Sequence, residues 1–239
     1  MRITTLTYNL LYNKALPTIH TIFEEHAPDV VMFQEMRIDE EYFDHILGMG
    51  YELADVSHSF RRGKKIFGIA TFYNPQELVL KKSQTFHLPS SFYQHMTFLV
   101  QQKKTPRTVL KTEFEVKKTK ASVSTYNMHL TPVATNALRM KQLFNTFDDP
   151  HLTTHTPTII AGDFNYPYGR KNLGSVLEEY GLSEATSNLT YTHETRIFGL
   201  IPLKLKLDYV FYKNLTLVSN ELLPHKHSDH FPIVSSFEM

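Results

Sequence analysis

The succession of apolar runs and helical stretches predicts an α/β fold in which β-sheets pack together under flanking helices. Three observations carry that expectation. Short apolar runs bounded by turn residues recur from end to end, and helical spacing appears in only a few stretches between them. In addition, Val30-Val31-Met32-Phe33 is a continuous apolar run, as a strand buried on both faces requires. The 239 residues are 41% hydrophobic and include 17 Phe and 13 Tyr, which is enough apolar area for a substantial core and more than disordered chains carry. A single domain over residues 1–239 is expected at this length.

Ile3 to Asn9 alternates like a strand. Ala15 to His26 reads as a helix because Leu16, Ile19, Ile22 and Phe23 fall at helical spacing, and Ala27-Pro28-Asp29 ends it, since the residue before a proline is pushed out of the helical region. The Val30 strand finishes at Gln34-Glu35, and a short helix runs from Asp39 to Leu47. Further strands are expected over Ile66 to Tyr73, Leu78 to Thr85, Thr108 to Val116 and Ala121 to Met128, the last two forming a hairpin across the basic turn Lys117-Lys118-Thr119-Lys120. A helix from Asn136 to Phe147, a strand from Thr158 to Ala161 and a helix from Leu173 to Tyr180 follow. Strands Leu207 to Tyr212, Leu215 to Leu222 and Ile233 to Phe237 complete the chain.

Twenty-five Lys and Arg against 24 Asp and Glu give no strong overall field, so a polyanion must be bound locally. With no cysteine there is no disulfide, thiolate metal site or cysteine nucleophile. Met1 to Asn9 lacks a signal-peptide apolar run and no stretch approaches a membrane span, so a soluble, cytoplasmic protein is expected.

Polar groups cluster where the apolar runs stop: Asn9, Gln34-Glu35, Asn127-Met128-His129-Leu130, Gly162-Asp163-Phe164-Asn165, Leu207-Asp208-Tyr209 and Ser228-Asp229-His230. Such groups at the rim of a rigid sheet keep their geometry while a substrate's charge changes. Taken singly, Asn9 is also a strand-end cap, Glu35 a helix-start acid and Gly162 to Asn165 a plain turn; their joint order decides for function. Glu35, Asp163, Asp208 and Asp229 would repel one another if gathered without a cation, and hard oxygen donors without thiols suit Mg²⁺ or Mn²⁺.

The six elements in this order, beginning with Tyr8-Asn9, resemble the endonuclease/exonuclease/phosphatase superfamily over nearly the whole chain, with Pro28-Asp29-Val30, Arg139 and Gln142, and Pro232 as lesser agreements. The resemblance implies a four-layer αββα sandwich of two mixed sheets face to face, and a divalent metal, usually Mg²⁺, at one rim. It implies a phosphoester hydrolase in which Glu35 ligates the metal, Asn9 joins it through its amide oxygen, and Asp229 reaches it through water. Asp163 then orients or deprotonates the attacking water, Asn165 holds the water or the phosphate, His129 donates to a phosphate oxygen, and Asp208 fixes the ring of His230. Asp163 and His230 both remain as general base, with Asp163 preferred. DNA or RNA is the first substrate class, phosphoinositide or sphingomyelin with membrane contact the alternative, and a catalytically silent binding module the reading from another class.

Other features take bland readings. His225-Lys226-His227 lacks the helical His-x-x-x-His spacing of a zinc site. Arg61-Arg62-Gly63-Lys64-Lys65 and Lys103-Lys104 read as solvated turn charges rather than a phosphate-binding face. Ile197 to Leu203 reads as an apolar loop folded onto the core in preference to a lipid contact.

Overall fold

The computed structural model describes residues 1–90, 107–132, 134–197, 199–224 and 227–239. The first half runs β1 (Arg2–Asn9), α1 (Ile19–His26), β2 (Val30–Arg37), α2 (Glu40–Leu47), β3 (Glu52–Arg62), β4 (Lys65–Tyr73) and β5 (Leu78–His87). After it come β6 (Thr108–Val116), β7 (Ser122–His129), α3 (Asn136–Phe147), β8 (Thr158–Asp163) and α4 (Arg170–Glu179). The last part holds β9 (Ser183–Glu184), β10 (His193–Ile197), β11 (Ile201–Leu205), β12 (Asp208–Lys213), β13 (Thr216–Leu222) and β14 (Ile233–Glu238). Among the described residues these form two six-stranded sheets, ordered β13-β14-β1-β2-β4-β3 and β5-β6-β7-β8-β12-β9, and a two-stranded ribbon of β10 and β11.

Each large sheet is mixed in the same way. Its one parallel pair, β1 with β2 or β7 with β8, is joined through a helix, α1 or α3, and the remaining pairs are antiparallel. A parallel pair needs such a crossover because a short turn cannot return the chain in the same direction. The apolar run of β2 shows why its strand is buried on both faces. Val30 and Met32 pack between the sheets with Ile159, Ala161 and Val210. Val31 and Phe33 point the other way, into a cluster with Ile19, Ile22 and Phe23 of α1. On the far side, Leu143 and Phe147 of α3 and Leu173 and Leu177 of α4 cover Tyr126, Ile160 and Phe211. Helices therefore lie outside two sheets that face each other, in the layered order expected.

Helix α1 starts later than the spacing predicts, because Pro17 lies in a 3-10 turn over Leu16–Thr18 that precedes it. Strand β3, the two-residue β9 and the β10–β11 ribbon were not expected at all. Strand β3 is a sheet edge whose outward positions are polar and exposed, and the basic segment Arg61 to Lys65 is its hairpin connection into β4, with Arg61 and Arg62 paired to Ile66 and Lys65. The β10–β11 ribbon replaces the loop expected at Ile197 to Leu203.

Just beneath one rim, the sheets are tied by buried amides. Asn127 of β7 donates from Nδ2 to the carbonyls of Phe33 (3.2 Å) and Ala70 (3.0 Å) in the opposite sheet, and its Oδ1 accepts from Gln34 Nε2 at 2.8 Å. Gln34 Nε2 also reaches Thr7 Oγ1 at 3.2 Å. Removing Asn127 strands these groups away from water, which costs more than the bonds themselves contribute. Asn127→Leu is expected to lower unfolding free energy by about 2–4 kcal/mol in a urea titration; a loss under about 1 kcal/mol would mean the amides do not hold the sheets together.

Candidate active site

The four strands of the two parallel pairs deliver their C-terminal ends to this rim, where open α/β sheets commonly bind ligands. Asn9 closes β1, His129 closes β7 and Asp163 closes β8. Asp208 opens β12 directly opposite Asp163 in the antiparallel register, and Ser228 to His230 leads into β14, whose Ile233 pairs with Thr7. His129 lies two residues beyond Asn127 on the same strand face, so the amide tie positions the imidazole above it.

Glu35 arrives by a backbone irregularity. Met32 and Gln34 share the inner face, and plain alternation would turn Glu35 toward the helices. The β2–β4 register instead shifts between Phe33 and Met36, and Glu35 takes φ +54°, a bulge that re-aims its side chain toward the rim. Gly162, just before Asp163, has φ +142° and lies so close to β7 that a Cβ there would meet Met128 O at 2.0 Å. Only glycine lets β8 pass at that distance.

All eight residues named from the sequence meet in one connected group, Asn165 through its backbone N–H. Asp163 Oδ2 accepts from Asn9 Nδ2 at 3.1 Å, and its Oδ1 accepts from the backbone N–H of Asn165 at 2.9 Å. His129 Nε2 is 3.5 Å from Asp163 Oδ2 and 4.0 Å from Glu35 Oε1. His230 Nδ1 is 2.8 Å from Asp208 Oδ2, while its Nε2 faces Asp163 Oδ2 at 3.8 Å. Asn165 sits at φ +48° and donates from Nδ2 to Leu130 O. Ser228 Oγ donates to Asn9 O at 2.8 Å and accepts from the His230 N–H, tying the turn that carries Asp229 to the end of β1.

Electrostatics separates the titrating groups. Burial pushes Glu35 up to about 7, helped by the charge of Asp163. Asp163 is raised by its own burial and by Asp208, against the pull of His230. For His230 burial acts downward, but the carboxylates of Asp208 and Asp163 outweigh it and favour the imidazolium. His129 is driven well below the ordinary histidine range by burial and by the neighbouring Arg107 charge. Burial works to raise Asp229, yet the His193 hydrogen bond and the two imidazoles leave it lowered.

Three participants carry no motif in the sequence. Arg107, one residue before β6, has Nη1 3.0 Å from His129 Nδ1 and its guanidinium carbon 5.4 Å from the Phe60 ring centroid. In the sequence it reads as an ordinary charge at a strand start. Thr192 donates from Oγ1 to Asp208 Oδ2 at 2.7 Å and accepts from the N–H groups of Leu207 and Asp208. His193 Nε2 lies 3.5 Å from Asp229 Oδ2, and its ring packs edge-on against His230 at 4.7 Å. Among thirteen histidines nothing local sets it apart. Arg139 and Gln142 brace the segment leaving His129: Arg139 donates to the carbonyls of Thr131 (3.1 Å) and Pro132 (2.6 Å), and Gln142 Nε2 donates to Thr131 Oγ1.

The apolar loop expected to fold onto the core does not do so. Leu200 and Ile201 are 80% and 61% exposed at the end of the β10–β11 ribbon, which joins neither six-stranded sheet and meets the rest of the fold through a bridge from His193 to His230. Lys103-Lys104 and His225-Lys226 fall outside the described residues.

The donor set fits a divalent cation. Glu35 Oε2 is buried with no hydrogen-bond partner, an orphaned acceptor amid further carboxylates. Asp163, Asp208 and His230 offer ligand atoms within 4.8 Å of one another, as do His193, Asp229 and His230. Asn9 Oδ1 already accepts the Leu11 N–H at 3.1 Å and has a second lone pair free for a ligand.

A sequence profile of the Endonuclease/Exonuclease/phosphatase family matches residues 6–230. A UPF0294 protein of Yersinia pseudotuberculosis is 32% identical over 85 residues, 34% of this chain and 30% of that protein, so the match spans about a third of the relative's length. In structure, the Bacteroides thetaiotaomicron mannosyl-6-phosphatase superposes with a TM-score of 0.75 at 15% identity, covering 99% of this chain and 100% of that one. The catalytic domain of human Nocturnin, with bound sulfate, superposes with a TM-score of 0.72 at 19% identity over 99% of this chain and 94% of that one. At these identities the superpositions establish the fold. Among the described residues, no helix is long and apolar enough to cross a membrane.

Proposed function

The chain belongs to the endonuclease/exonuclease/phosphatase family, and from that membership we propose that it is a Mg²⁺-dependent phosphodiesterase that cleaves a nucleic-acid phosphodiester by in-line attack of water. The observation that carries this reading is the orphaned, buried Glu35 Oε2 set among Asp163 and Asp229, an arrangement that calls for a cation. Glu35, Asn9 and Asp229 would hold it. When bound, a divalent cation offsets the clustered carboxylates and stabilises charge that grows on the ester during displacement.

The protein's own groups do the rest. Asp163, raised toward neutrality and held on both oxygens by Asn9 and Asn165, accepts the proton of the attacking water. His230, kept as an imidazolium by Asp208, presents Nε2–H to the ester. Thr192 shares the same Asp208 oxygen and fixes the carboxylate in turn. His129 donates to an oxygen whose charge rises in the transition state. Phe60 lies edge-on to His129 and meets Tyr12 edge to face at 5.9 Å, with Arg62 over the Tyr12 ring, an aromatic and cationic flank suited to a nucleotide.

A lipid phosphodiester is the second reading, favoured by exposed Leu200 and Ile201 on a ribbon whose base holds His193 against His230. Rates with Mg²⁺ on bis-p-nitrophenyl phosphate, p-nitrophenyl phosphate, a short single-stranded oligonucleotide and sphingomyelin vesicles separate the readings. Turnover of the oligonucleotide and the simple diester is expected. Release from vesicles alone would select the lipid, and release from the monoester alone would replace the diesterase by a phosphatase.

Glu35→Gln is expected to raise the Mg²⁺ concentration for half-maximal rate by about 10–100-fold and to weaken Mn²⁺ binding, read directly by electron paramagnetic resonance, in the same proportion. Unchanged titrations would remove Glu35 as a ligand.

A further inference from the structure

Arg107 contacts the site without belonging to any of its motifs. A guanidinium has five N–H donors, no acceptor, and keeps its charge in proteins. The imidazole nitrogen 3.0 Å from its Nη1 must therefore be an acceptor, so His129 Nδ1 carries no proton and the ring's single N–H is on Nε2. That nitrogen is the one turned toward Asp163 and Glu35.

Arg107 is itself held in place. Its guanidinium packs over Phe60, which stacks on Phe67 at 5.4 Å and meets the His129 ring edge-on. Its backbone carbonyl accepts the Leu88 N–H at 2.8 Å, fixing the main chain just before β6. His129 and His230 are thus oriented by partners of opposite sign: Asp208 on His230 Nδ1 and Arg107 on His129 Nδ1. A carboxylate behind an imidazole favours its cation, whereas a guanidinium opposes it.

We infer that Arg107 is a positioning residue that fixes the ring and tautomer of His129, making it a permanent neutral N–H donor to the ester and barring it from proton transfer. With Arg107 behind Nδ1, His129 contributes through its Nε2–H hydrogen bond. Arg107's use in turnover rests on the phosphoesterase reading; the tautomer it sets does not.

Two measurements on the Mg²⁺-loaded protein test this. In the ¹⁵N-histidine-labelled chain, long-range ¹H–¹⁵N spectra at neutral pH, with His129 assigned by its loss in His129→Gln, are expected to show the Nε2–H tautomer. Arg107→Met is expected to lose that tautomer preference and Arg107→Lys, which retains a cationic donor, to restore it. In kinetics, Arg107→Met is expected to lower kcat by about 10–100-fold in the wild-type background and by less than about twofold when His129 is already Gln. A wild-type His129 protonated on Nδ1 or on both nitrogens overturns the assignment even if no Arg107 variant folds. Equal losses in both backgrounds would show that Arg107 acts independently of His129. An absence of phosphoesterase turnover would count against the proposed function, with the spectra still deciding the tautomer.

Discussion

Asparagine at Asp163 is expected to lower kcat by about 10³-fold or more on any substrate the protein turns over, with thermal stability preserved. Glu35, also raised by burial, would be taken up by the cation, which leaves the Asp163 carboxylate as the group whose surroundings suit a base. Burial and Asp208 raise it from the ordinary carboxylate range to about 6, so at neutral pH it is ionised yet not far from the pH at which it holds a proton. Asn9 Nδ2 and the Asn165 N–H leave its lone pairs only partly used. The sign follows from the working form. Activity needs the ionised carboxylate, so kcat is lost as pH falls through about 6, and that acid limb should vanish from whatever residual rate Asp163→Asn retains. An acid limb unchanged in the variant would assign the titration, and the base, elsewhere.

Alanine at His230 is expected to have a comparable effect, about 10²–10⁴-fold on kcat, for a different reason. Asp208 and Asp163 lift His230 to about 10 against the downward action of burial, so the ring is a cation throughout the neutral range and makes a poor base. Its work is to place positive charge and an N–H where the ester becomes more negative, and activity should fall as pH rises through about 10. His230→Gln retains a donor without the charge and should recover part of the loss. A His230→Ala protein with near-normal turnover would mean that the imidazolium does not touch the reacting ester. Together the two variants divide labour between the groups that family resemblance alone left interchangeable as general base.

The site's composition was legible in the sequence because it is written at strand ends, and strand ends are marked by the abrupt stop of apolar runs: Phe33 before Gln34-Glu35, and Ala161 before Gly162-Asp163. The central strands were legible for the same reason, since a strand buried on both faces has no polar alternation to confuse it. Strand β3 escaped because an edge strand keeps polar residues on its exposed positions, and the β10–β11 ribbon because it joins neither large sheet and β11 is largely exposed, so no alternation of apolar residues marks it.

Geometry that depends on distant partners left no local mark. The Asn127–Gln34 tie joins residues 93 positions apart, and although both stand in motifs at strand ends, neither marks the other as its partner. Glu35 is recognisable as a residue type, but its aim comes from a register shift against β4 that the residues around it do not announce. Arg107 and His193 acquire meaning only from the histidines they meet, 22 and 37 positions along the chain, through the fold and not through a motif.

The most direct test of the account is the initial rate of bis-p-nitrophenyl phosphate hydrolysis by the wild-type protein stripped with EDTA and then titrated with Mg²⁺. Nitrophenolate release that is absent after stripping and returns saturably with added Mg²⁺ is the predicted result. A rate that survives chelation unchanged would contradict a cation held by Glu35, Asn9 and Asp229 as the centre of the chemistry.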